Sequence, residues 1–173
     1  MVSGKTVGAV VGGLGIVVSS ALMGGAVPRG LGPGGTAPWA AHLASVDAAL
    51  AEGDVPAALS AWHAAYGAAL GSRRWDGFAD VGDACLRIGR ASGAPASAVP
   101  RARDLYLSAL FRARDVGSLD GVLRVAVAFD DLGDREVTVQ ALRMARRLAG
   151  SDPGPAVRDR LAALERERPA IPF

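Results

Sequence analysis

The sequence predicts an all-α protein in which about three helical hairpins stack side by side, closed by a C-terminal capping helix and preceded by a single apolar segment. Three observations predict it. From Trp39 onward apolar residues recur at helical spacing. Glycine interrupts that pattern at Gly53, Gly93 and Gly133, forty residues apart, a period typical of stacked helix pairs. Half of the residues are apolar but only 5% are aromatic, so the core has to come from Ala, Leu and Val, which suits closely approaching helices better than a β-sandwich.

The chain divides into three parts. Residues 1–27 hold an uncharged run from Thr6 to Val27 behind Lys5, which at about 1.5 Å per residue is long enough to span a hydrocarbon core. Its length exceeds the apolar region of most cleavable signals and favours a retained transmembrane helix. The small residues Ser19-Ser20-Ala21 and Gly24-Gly25-Ala26 would equally suit a signal peptidase. Gly8 and Gly12 form a G-x-x-x-G spacing through which two membrane helices could pack. The short tail before the span is expected to stay in the cytoplasm, putting the rest of a bacterial inner-membrane protein in the periplasm; cleavage would leave a periplasmic protein instead. Residues 28–38, rich in glycine and proline, read as a tether. Residues 39–173 are the helical domain, enough for one core.

Within that domain Glu52-Gly53-Asp54 and Leu132-Gly133-Asp134 each offer a glycine for a left-handed helix end and an aspartate to cap the next helix. Small residues follow where a second helix would meet the first: Ala58 and Ala65 around Trp62, then Ala145 after Leu142. In the middle unit Phe78, Val81, Gly82 and Cys85 precede Ala102, Tyr106 and Ala109, with Ser92 to Pro100 as an insertion between them.

These residues resemble the tetratricopeptide repeat, whose pattern is W-x2-L-G-x2-Y on the first helix, G-D at the turn and A-x3-F-x2-A on the second. The resemblance covers most of residues 39–153. Trp39 to Ala51 keeps little of the first-helix pattern, and Thr138 stands where a small alanine is usual. Pro155 to Arg168 reads as a cap, whose alternating charges give the polar outer face that a terminal repeat needs.

Composition excludes other classes. A formal charge of +2 with both signs interspersed does not suit a nucleic-acid binder, which concentrates basic charge on one face. Cys85 is the only cysteine, so no intrachain disulfide can form; it reads as a small core residue. His42 and His63 lack a second histidine or cysteine at metal-ligand spacing. No Walker loop, dinucleotide fingerprint or nucleophile elbow occurs. No enzyme, no cofactor and no small-molecule substrate is expected. Asp76, Asp80 and Asp83 share one helical face, which reads as solvated, with Asp83 paired to Arg87 one turn on. Arg143, Arg146 and Arg147 suit a helix C-terminus.

The resemblance implies that the first helix of each unit lines a concave partner groove. Leu43 and Asp47 would face it from the first unit, Asp76, Ala79, Asp83 and Arg87 from the second, and Asp120, Leu123 and Asp130 from the third. Such a groove would be acidic with apolar patches, unlike repeats that grip a C-terminal carboxylate with lysine and asparagine. The expected partners are other protein chains, foremost the subunits of a membrane complex that this chain serves as an accessory or assembly factor. The alternative is a separate exported adaptor that holds a client transiently.

Overall fold

A computed structural model describes residues 37–150 and 154–166. Among them the chain is entirely helical: α1 (Ala40–Ala51), α2 (Val55–Ser72), α3 (Trp75–Ala91), α4 (Pro95–Asp115), α5 (Leu119–Asp131), α6 (Arg135–Ala149) and α7 (Pro155–Arg166). Successive helices pack in antiparallel pairs, α1 with α2, α3 with α4 and α5 with α6, and each pair leans on the next through α2–α3 and α4–α5. The odd-numbered helices also touch one another, α1 to α3 and α3 to α5, so they form one layer of the stack, and α7 closes the end against α6.

The forty-residue period is the hairpin period. Gly53, Gly93 and Gly133 each end the first helix of a pair with φ between 73° and 76°, a left-handed conformation that costs a residue with a Cβ about 1–2 kcal/mol. Behind each glycine the same bond closes the turn: Asp54, Ala94 and Asp134 donate their amides to the carbonyls of Ala49, Gly89 and Phe129 at 2.9, 3.0 and 2.9 Å. Asp54 and Asp134 then cap the second helices, accepting from the amides of Ala57 at 2.9 Å and Val137 at 3.3 Å. The middle hairpin has Ala94 at that position and starts α4 on Pro95 instead, a residue suited to the first turn because its missing N–H leaves nothing unsatisfied.

The insertion between Ser92 and Pro100 is helical from Pro95. It lengthens α4 to 21 residues, and Pro100 lies exposed inside it, withholding one amide from the Ala96 carbonyl without ending the helix. At the sixth position of the helix, Pro100 disturbs a single turn.

The core runs along the seam between the two helix layers. Trp39, Val46, Val81, Tyr106, Leu123 and Phe129 are almost fully buried, each such aliphatic or aromatic side chain contributing roughly 1.5–3 kcal/mol. Small residues set the helix spacing around them: Ala58, Ala65 and Ala69 on α2, Ala102, Ala109 and Ala113 on α4, and Ala141 and Ala145 on α6 are all inaccessible. Gly82 is needed for the same reason, since a Cβ there would stand 2.7 Å from Tyr106 Cε1. Thr138, the unexpected residue in its column, is also fully buried. Its hydroxyl donates to the Asp134 carbonyl at 2.8 Å, so the extra polar atom is satisfied and the packing holds.

None of the described helices is long and apolar enough to cross a membrane. The expected span at 1–27, with Gly8 and Gly12, and most of the tether lie outside the described residues.

Candidate functional site

The layer of odd-numbered helices carries all nine residues assigned to a partner groove. Their arrangement is governed by arginine. Arg124, on α5, reaches back to α3 and places one Nη2 at 2.6 Å from Asp80 and 2.9 Å from Asp83. The second oxygen of Asp80 accepts from the Trp39 indole at 2.7 Å, and that of Asp83 from the Tyr106 hydroxyl at 2.6 Å. Five side chains from α3, α4, α5 and the residue before α1 thus form one continuous network.

The network explains the charge states of its members. Burial, reinforced by the Asp83 carboxylate, pushes the Tyr106 hydroxyl well above its ordinary range. Burial works to lower the Arg124 guanidinium, but Asp80 and Asp83 outweigh it and hold it above its usual value. Asp131, nearby, is raised by burial and then by Asp130 and Asp83.

This geometry corrects several expectations. Asp83 does not pair with Arg87 along its own helix; Arg87 instead binds Asp47 on α1 at 3.0 Å, forty positions earlier. The contact between hairpins is available because α1 and α3 lie side by side, whereas one helix alone offers Arg87 only its own turns. Asp76 is buried and held by Arg74 through two bonds, besides accepting from the Gly77 amide. Ala79 and Leu123 are 2% and 1% exposed, so they belong to the core and present nothing to a partner. Leu43 is half-buried against the core, Asp120 is exposed and Asp130 half-buried. With Asp47, Asp76, Asp80 and Asp83 all held by arginine, the face is less acidic than its aspartates suggest.

A second surface lies on the opposite side of α3. Between α2 and α4 runs an open groove of about 380 Å³, walled by Val55, Leu59 and Trp62 on one side and Ala98 and Arg101 on the other, with Cys85 and Ile88 of α3 as its floor. Its origin is local. A Cβ on Gly89 would come within 2.5 Å of the Ala98 Cβ, so the first turns of α4 press directly onto α3 and leave the flank of α2 uncovered. Leu59 is 43% exposed at the mouth. Trp62 stacks on Tyr66 with ring centroids 5.6 Å apart and donates its indole N–H to the Val81 carbonyl at 2.9 Å. Arg101 covers both rings, its guanidinium carbon 5.7 Å from the centroid of Trp62 and 5.2 Å from that of Tyr66. Burial raises the Cys85 thiol, and Arg101 opposes that shift.

The sequence pattern does not predict this groove. The signal available was the i, i+4 pair of Trp62 and Tyr66, but a groove exists only where two helices part. That depends on how α4 sits on α3.

His42 and His63 are both exposed on their helices, and among the described residues no group of three His, Cys, Asp or Glu side chains is placed to hold a metal ion. Comparison of the chain with protein-family models, curated proteins and solved structures returns no match.

Proposed function

We propose that this chain is a non-enzymatic scaffold, an accessory or assembly subunit of a bacterial membrane complex, whose tetratricopeptide-like domain binds other protein chains. The observation that carries this reading is the stack of helical hairpins with an open apolar groove on its surface. Extended arrays of this kind present broad surfaces to partners while each hairpin contacts only its neighbours. The likeness to tetratricopeptide repeats is supported by Gly82 seated against Tyr106, by small residues recurring along the second helices, and by turn glycines forty residues apart.

The membrane placement rests on the uncharged run from Thr6 to Val27, which as a retained helix would tether the domain on the periplasmic side. The small residues before Ala21 and Ala26 favour a second reading, in which the segment is removed and the domain acts as a separate periplasmic adaptor. The first measurement is a mild-detergent purification from native membranes through a C-terminal tag, with intact-mass analysis of the chain and identification of what accompanies it. Full-length chain with stoichiometric membrane subunits is the expected result. A trimmed chain arriving alone in the soluble fraction would overturn the subunit reading in favour of the adaptor.

A further inference from the structure

Resting on the scaffold reading and going beyond it, we propose that the groove between α2 and α4 receives a segment of a partner protein carrying an aliphatic or aromatic side chain flanked by a carboxylate. The apolar half of this specificity comes from the walls. Leu59, Trp62, Ile88 and Ala98 face a space of about 380 Å³ with no acidic residue among its lining. Leu59 stands 43% exposed there, so an inserted side chain would remove its surface from water together with its own.

The charged half comes from Arg101. Arg74, Arg87, Arg103, Arg114 and Arg124 each hold an aspartate. Arg101 has two aromatic faces beneath it and, among the described residues, no carboxylate in an ion pair. Contact with Trp62 and Tyr66 restrains the guanidinium on the wall of the groove, and because Arg101 is exposed an edge of it is open to solvent. That edge is a planar fork of donors matched to the two oxygens of a carboxylate. The neighbouring lining groups, His63 and Cys85, offer no competing negative charge at neutral pH, since burial keeps the thiol protonated. The complement of this surface is an apolar anchor with Asp or Glu within a turn of it.

The shape favours a protein segment over a small molecule. Sites for small ligands enclose most of the ligand's surface, whereas this groove lies open along one side between two helices. It spans Val55 to Trp62, about two turns or roughly 10 Å of α2, which accommodates one anchor side chain and its neighbours while the rest of the partner stays outside.

The test is selection of a randomised dodecapeptide library on the immobilised full-length chain in mild detergent, followed by affinity measurements on synthetic copies of the enriched peptides. Leu, Ile or Phe flanked by Asp or Glu is the expected consensus. Arg101→Glu is expected to weaken these peptides roughly tenfold or more, about 1.4 kcal/mol, and replacement of the peptide carboxylate by lysine to recover affinity for that variant alone. Leu59→Asp is expected to abolish binding with the helical circular dichroism unchanged. Peptides without acidic bias, or binding that neither variant alters, would overturn the proposal. If binders respond instead to Asp83→Lys with the helical circular dichroism and thermal melt unchanged, the docking site lies on the odd-helix face and the groove assignment is wrong while the scaffold role stands. A library yielding no binder also overturns the groove; the scaffold role is then decided separately by the co-purifying subunits.

Discussion

The Arg124 guanidinium on α5 lies 2.6 Å from the Asp80 carboxylate on α3, forty-four positions earlier in the chain. All the partners of this arginine belong to a different hairpin, so removing it takes the charge partner from two partly buried carboxylates at once. Exposed pairs contribute about 0–1 kcal/mol, and breaking a fully buried one costs about 3–5 kcal/mol. With side chains 25% and 31% exposed, Arg124→Ala is expected to fall between these limits, destabilising by roughly 2 kcal/mol. Urea denaturation followed by circular dichroism measures it, and an unchanged midpoint would show that the network is idle.

Two glycine substitutions should have opposite signs. In Gly82→Ala the new methyl meets the Tyr106 ring, an overpacking cost of about 1–3 kcal/mol against a helix-propensity gain of about 1 kcal/mol. A net loss of about 1 kcal/mol is expected. Gly67 is exposed inside α2 with nothing near its missing Cβ, so Gly67→Ala should gain about 0.5–1 kcal/mol. Thermal melts of both variants beside the parent chain decide the matter, and a shift in the same direction for both would contradict the packing described.

That contrast marks what was legible in the sequence. The hairpin turns could be read because one residue type at one φ leaves a local trace, as at Gly53 and Gly133 with their capping aspartates. Helix faces were readable too, as at Ala58, Ala65 and Ala145, expected where a second helix meets the first and fully buried in the fold. Partner choice among charges was not. Asp83 has Arg87 one turn away, and nothing local says that Arg87 will turn to Asp47 while Arg124 arrives from another hairpin. The groove was hidden for the same reason, since it depends on how closely Gly89 of α3 meets Ala98 of α4, a contact between helices.

Alkaline pH should loosen the stack through Tyr106. Its hydroxyl is raised in the fold by burial and by Asp83, so above the ordinary tyrosine value of about 10 the unfolded chain loses the proton that the folded chain keeps. Stability linked to this group is therefore complete below about pH 10 and declines as pH rises beyond it. Urea midpoints measured between neutral pH and about pH 11 should fall more steeply for the parent chain than for Tyr106→Phe. Equal slopes would remove Tyr106 as the cause.

Cys85 should alkylate slowly. The thiolate is the reactive form, and burial raises the thiol in the folded chain despite the nearby Arg101. Iodoacetamide at mildly alkaline pH is expected to modify the native chain several-fold more slowly than the same chain in urea, with mass spectrometry as the readout. Equal rates would mean that the groove floor is fully open to reagent.

Trp39 gives the domain a mechanical character. It precedes α1, yet its ring is buried against α3 and its indole N–H is bonded to Asp80, which Arg124 in turn joins to α5. Tension applied through the chain before Ala37 would therefore bypass α1 and enter the middle of the stack, loading an aromatic plug and an ion pair in series before any helix is peeled away. The first hairpin would hang beside this load path rather than on it, and could yield or rearrange without releasing the grip on the remainder.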